Sequence, residues 1–129
     1  MKIFIDSANL SEIQECVETG LIDGITTNPT LIRKSGMAPN YVYDRLVEMG
    51  IEDISMEVTG TYEQMLNEAA KLSETYGNVA TIKVPMTPDG LKICRVLKGR
   101  VRTNVTLVFN AAQALLAATC ADGQPRDLR

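Results

Sequence analysis

The 129-residue chain contains no histidine. That absence excludes Ser-His-Asp triads, Cys-His pairs and HExxH zinc sites in one step. Cysteine is scarce: Cys16, Cys94 and Cys120 are odd in number, far apart, and form no CxxC motif. This pattern points to a reduced, cytoplasmic setting rather than a disulfide framework. Neither sign of charge is in large excess, the net value being -3. Nothing in that balance favours nucleic acid or an anionic membrane as a partner. No run approaches the roughly 18 apolar residues of a membrane-spanning helix. The opening stretch "MKIFIDSANL" has too short an apolar run for a signal peptide, and Asp6 interrupts it. The stretch "DSANLS" after the first apolar run lacks glycine, so no phosphate-cradling loop follows it. A nucleotide-binding doubly wound fold is disfavoured on that ground.

What is present is a globular composition, 45% hydrophobic and 22% charged, with strand and helix periodicities in alternation. "KIFID" reads as a strand. "NLSEIQECVETG" reads as a helix with Leu10, Ile13 and Val17 on one face, Asn9 and Glu12 as a capping box, and Gly20 as the stop. "IDGITTN" is a second strand, followed by a helix capped by Asn28 with Pro29 in its first position. "YVYDRLVEMG" is a further helical stretch and "DISMEVTG" a third strand. "TYEQMLNEAAKLSETYG" is a helix whose apolar face is Tyr62, Met65, Leu66, Ala69 and Ala70. "ATIKVPMT" is the fourth strand, and the helix after it takes Thr87 as cap and Pro88 at its first position. "VRTNVTLVF" is the fifth strand, and Asn110 with Gln113 suggests a capping box for a last helix. Strands alternating with helices imply a parallel sheet with right-handed crossovers. No linker interrupts the pattern.

Each strand carries a polar residue near its C-terminal end: Asp6, Asn28, Glu57, Lys83 and Thr106, with Asn104 two positions before Thr106 on the same face. In a parallel barrel all strand C-termini point to the face that holds the active site. Lys83 is the most telling of the set, because it sits inside the apolar run Ala80, Ile82, Val84. Desolvation disfavours a charged ammonium, and a neutral amine attacks a carbonyl to form a Schiff base. The iminium is then an electron sink for carbon–carbon cleavage. Asp6 and Glu57 are candidates to move protons and to serve the water that forms and hydrolyses the imine. Each residue also has a plain structural reading. A strand-end lysine snorkels to water, Asn28 caps a helix, Asp6 is a loop acid, and Asn104 and Thr106 are ordinary strand polar residues. Glu57 is harder to explain that way, since alternation puts it opposite Met56 and Val58. Recurrence once per strand-helix unit favours the functional reading.

The motifs "FIDSANLSEI", "GITTNPTL", "MEVTG", "IKVPMT" and "NVTLVFNAAQALLAA" resemble the small transaldolase family, which includes the fructose-6-phosphate aldolase-like enzymes. The resemblance covers residues 1–118. It implies a (β/α)8 TIM barrel, a Schiff-base lysine at Lys83, sugar-phosphate substrates, and no metal or organic cofactor. It further implies that Asp6 shuttles protons to the sugar hydroxyls, that Asn28 and Asn104 bind the dihydroxyacetone unit, and that Glu57 and Thr106 hold the catalytic water. In the fructose-6-phosphate aldolases the acid position is a glutamine, so Glu57 points to the transaldolase branch and the pentose phosphate pathway. An eight-unit barrel takes about 250 residues. Five units are visible, so the expectation is the N-terminal five strand-helix units of an incomplete barrel, residues 1–118, followed by a polar, unpatterned tail, 119–129. A homo-oligomer of the family type would lack its C-terminal assembly elements. Two other outcomes stay open: simple aldol cleavage without transfer, and a non-catalytic fragment that acts only as a partner or subunit.

Overall fold

The computed structural model describes residues 1–121. Five parallel strands form one sheet in the order β1-β2-β3-β4-β5, alternating with helices. The elements are β1 (Phe4–Asp6), α1 (Leu10–Glu18), β2 (Gly24–Thr26), α2 (Pro29–Ser35), α3 (Pro39–Glu48) and β3 (Ile54–Glu57). They continue with α4 (Tyr62–Tyr76), a short 3-10 turn (Gly77–Val79), β4 (Ala80–Pro85), α5 (Pro88–Leu97), β5 (Arg102–Thr106) and α6 (Ala111–Cys120). Strand order follows chain order without a reversal. A doubly wound sheet would show a switch point where the order turns back, whereas consecutive βα units adding on one side build a partial TIM barrel. Of the polar tail expected over 119–129, Thr119 and Cys120 continue α6 and Cys120 and Ala121 are buried, while residues 122–129 lie outside the described residues.

The chain divides into two compact units within β3, residues 1–56 and residues 57 onward. In the first, β1 and β2 pair Phe4 with Gly24 and Asp6 with Thr26, and β2 pairs Ile25 with Ile54. Ile13, Ile25, Val42, Leu46, Ile54 and Met56 are fully buried there. Gly24 is required by close approach, because a Cβ would lie 2.2 Å from the Phe4 ring and 2.6 Å from the Asp53 carbonyl oxygen. In the second unit β4 and β5 pair over five positions, Thr81 with Arg102 through Pro85 with Thr106. Its core is Val58, Met65, Ala69, Ile82, Val84, Ile93 and Val105. Helix α5 buries Gly90, Ile93, Cys94 and Leu97, the spacing of one helical stripe.

Local differences from the sequence expectations have identifiable causes. The stripe of α4 is Met65, Ala69 and Leu72. Tyr62 and Leu66 are half-buried, and Ala70 faces solvent. Asn9 caps α1 by accepting from Ser11 N–H (3.1 Å) and Glu12 N–H (3.2 Å). The reciprocal half of the expected box does not form, because the Ser7 hydroxyl takes both partners. Asn9 N–H donates to Ser7 Oγ (3.0 Å), and Ser7 Oγ donates to the Glu12 carboxylate (2.9 Å). At α6, Asn110 accepts from Gln113 N–H (2.9 Å), but Gln113 Oε1 reaches one residue further back, to Phe109 N–H (2.8 Å). The complete capping box is at α4, between Thr61 and Gln64.

Candidate functional site

In the second unit, β4 positions the lysine. Its sequence ATIKVP is buried throughout, apart from a half-buried Pro85. Ile82 and Val84 are fully buried, while Lys83 alternates to the other face of the strand. Lys83 keeps only 8% of its surface exposed. It does not snorkel. Its Nζ lies 3.5 Å from Glu57 Oε2, and both side chains are more than four-fifths buried. Glu57 is the last residue of β3, and Val58 N–H donates to the Lys83 carbonyl (3.0 Å). Register then brings Asn104 beside Lys83 on β5, itself 1% exposed. Thr106 stands two positions further along, paired with Pro85, and its carbonyl accepts from Met86 N–H (2.9 Å).

Taking an ammonium and a carboxylate out of water costs several kcal/mol per ion, offset only when each has the other and further hydrogen bonds. The Lys83–Glu57 pair is such an arrangement. Helix α5 is locked close above this strand end. Thr87 Oγ1 accepts from Gly90 N–H (3.0 Å), Thr87 N–H donates to the Pro85 carbonyl (2.8 Å), and a Cβ on Gly90 would lie 1.9 Å from that carbonyl oxygen. Beyond Thr106 the chain turns at Leu107, with φ of 65°. A non-glycine residue holds that left-handed conformation at a cost of roughly 1–2 kcal/mol.

In the first unit, Asp6 ends β1 and is exposed, and Thr26 Oγ1 donates to Asp6 Oδ1 at 3.0 Å. Sequence reasoning missed Thr26. The signal was available in "TTNPT", because parallel register pairs Asp6 with Thr26. Asn28 is half-buried and caps α2 by accepting from Leu31 N–H (2.9 Å), with Pro29 at the first helical position. Asn28 thus forms the cap expected of it, through the carbonyl end of its amide. The second-unit set of Glu57, Lys83, Asn104 and Thr106 gathers at neighbouring strand ends. Asp6 and Asn28 lie at their own strand ends in the first unit. Two surface grooves lie elsewhere, and none of the six residues lines either. Among the described residues no group of three or more His, Cys, Asp or Glu side chains is placed to hold a metal ion, and no helix is long and apolar enough to cross a membrane.

A family model described as Transaldolase/Fructose-6-phosphate aldolase matches residues 3–124. The chain belongs to that family. Relatives named "Probable transaldolase" include one from Thermodesulfovibrio yellowstonii, 48% identical over 120 residues, covering 92% of this chain and 56% of the relative. Another, from Chelativorans sp., is 50% identical over 120 residues, covering 92% and 55%. A third, from Nitrosopumilus maritimus, is 46% identical over 120 residues, covering 92% and 54%. The chain thus spans a little over half the length of the curated relatives it matches. The family match and the consecutive strand order agree on a partial TIM barrel of the transaldolase/fructose-6-phosphate aldolase family.

Proposed function

We propose that this chain carries a Schiff-base centre of the transaldolase type, with Lys83 as nucleophile and a ketose phosphate such as fructose 6-phosphate as donor. The observation that carries the reading is the buried Lys83–Glu57 pair at 3.5 Å, with Asn104 in register beside the lysine. A carboxylate within reach of the ammonium can accept its proton and release the nucleophile. The amine then adds to the ketose carbonyl, and loss of water gives the iminium. Cleavage of the sugar's carbon–carbon bond sends its electron pair into the iminium and frees an aldehyde. In this reading Asp6 takes the hydroxyl proton, Asn28 and Asn104 hold the dihydroxyacetone unit, and Glu57 with Thr106 positions the water. The enamine left on Lys83 either adds to an acceptor aldose phosphate or is protonated and hydrolysed. Glutamate at position 57, where the fructose-6-phosphate aldolases carry a glutamine, favours the transfer reading over simple cleavage, and as a carboxylate it can serve the water as a base. The pentose phosphate pathway of the cytoplasm is the setting that matches such a transfer.

The test is trapping. Protein incubated with fructose 6-phosphate or dihydroxyacetone is reduced with borohydride, and the adduct is mapped by mass spectrometry. The expected adduct is on Lys83, absent in Lys83→Arg, since a guanidinium stays protonated. An adduct on Lys92 instead would overturn the assignment, and no adduct at all would favour a non-catalytic fragment. Release of glyceraldehyde 3-phosphate without an acceptor would identify simple aldol cleavage.

A further inference from the structure

The opposite end of β4 and β5 carries a second concentration of chemistry that the Schiff-base reading leaves unused. On a chain of net charge -3, residues 92–102 contain Lys92, Arg95, Lys98, Arg100 and Arg102 and no acid. Two of these cations meet in a concave place. An open groove of about 420 Å³ lies at the N-terminal ends of the two strands, with Arg100 and Arg102 on one wall and Ser73, Gly77 and Asn78 on the other. No acidic residue lines it. The wall carrying the arginines is closed onto α5, with Arg100 N–H and Val101 N–H both donating to the Leu97 carbonyl (2.9 and 3.1 Å). Arg102 is fixed by its pairing with Thr81 and by a hydrogen bond from its guanidinium to the Asn78 carbonyl. Ser73 donates its hydroxyl hydrogen to the Ala69 carbonyl (2.7 Å), so the positive character of the groove comes from the guanidiniums.

From this arrangement we infer that the Arg100–Arg102 groove is an anion site for a compact phosphate group, separate from the Lys83 site and independent of it. The size suits a small ligand. Planar guanidinium forks match phosphate oxygens two at a time, which a scattered lysine surface does not. Lys83 lies three residues along β4 from Ala80, which lines the groove. At about 3.3 Å per strand residue the two places are roughly 10 Å apart. Occupancy of one is therefore compatible with occupancy of the other.

Titration of the full chain with inorganic phosphate, and separately with pyrophosphate, by calorimetry and amide NMR tests the inference. The expected result is saturable 1:1 binding, with shifts concentrated at Gly77, Asn78 and residues 99–102. Arg100→Gln should weaken it about tenfold, and Arg100→Glu should abolish it. Tighter binding of pyrophosphate would mark a diphosphate ligand, and equal binding a single phosphate group. Borohydride trapping at Lys83 should be unchanged in Arg100→Gln, so failure of one site is distinguishable from failure of the other. Arg95→Gln, at an exposed position of α5 outside the groove, is the control. If it weakens binding as much as Arg100→Gln, or if the shifts spread along α5, the basic segment acts as diffuse charge and the groove assignment is wrong.

Discussion

The two compact units treat their strand-end polar residues differently. In residues 1–56 Asp6 is exposed and Asn28 half-buried, and each meets a neutral partner, Asp6 the Thr26 hydroxyl on the adjacent strand and Asn28 the amide of Leu31 in the helix it caps. From residue 57 on, Lys83 and Asn104 are buried and Glu57 nearly so, and two opposite charges meet there away from water. A cap or a surface hydrogen bond contributes to stability wherever it occurs. A buried ion pair is weak evidence for stability, since a hydrophobic replacement often does as well or better. The second unit therefore holds the groups whose presence is hardest to explain structurally, the proposed nucleophile among them.

The contrast breaks most visibly at Glu57. Glu57→Ala leaves the Lys83 charge buried without its carboxylate, and removal of one partner from such a pair costs about 3–5 kcal/mol, toward the lower end here because neither side chain is wholly enclosed. Urea unfolding should show the loss, and Lys83→Met in the same background should recover part of it. A cost under about 1 kcal/mol would mean that the pair behaves like a surface contact. Next comes Gly90→Ala. The added methyl meets the Pro85 carbonyl oxygen, not a side chain that can rotate away, so α5 must move off the end of β4. Overpacking of this kind costs about 1–3 kcal/mol. Amide shifts at Lys83–Pro85 should accompany the drop in midpoint, and unchanged shifts would show that the helix accommodates the methyl without touching the strand.

In the first unit the expected effects are smaller. Asn28→Ala removes the α2 cap and should cost about 1 kcal/mol, while Asn28→Asp keeps an acceptor in place and should stay within a few tenths of the parent, about 0.3 kcal/mol. If both variants lose the same amount, the amide is needed for more than capping. The smallest expected effect checks that charge on the outer face of the second unit matters little. Burial, acting against the backbone hydrogen bond at Thr59 and the nearby Lys71, raises the Glu68 carboxyl above its ordinary value of 4.5. A raised value means that the folded state holds the proton more tightly. The associated stability is complete below pH 4.5 and lost as pH climbs through the raised value. Glu68→Gln should therefore stabilise the protein slightly at pH 7 and flatten that loss. Because the carboxyl is only partly covered and the residue as a whole stays exposed, the gain should be under about 0.5 kcal/mol. Stability of the variant that falls more steeply than the parent's between pH 4 and 7 would reverse the sign.

Features that depend on near neighbours in the chain can be read from the residue pattern alone. Alternation placed Lys83 opposite Ile82 and Val84, and Glu57 opposite Met56 and Val58, because side chains of a strand point to two faces in turn. Asn28 before Pro29 and Thr87 before Pro88 announced helix starts, since a cap acts within three residues. The order of strand and helix was legible for the same reason. What each polar residue faces is set by the packing of distant segments. Periodicity says that Lys83 leaves the apolar face, not that Glu57, on a strand 26 residues earlier, stands 3.5 Å away. It does not reveal that Thr26 touches Asp6, that Ser7 replaces Asn9's expected partner, or that Leu72 rather than Ala70 completes the stripe of α4. The grouping of Arg100 and Arg102 with Asn78 was equally invisible. These contacts depend on strand register and helix rotation, which are fixed by packing between segments far apart in sequence and are not encoded in the pattern of any one of them.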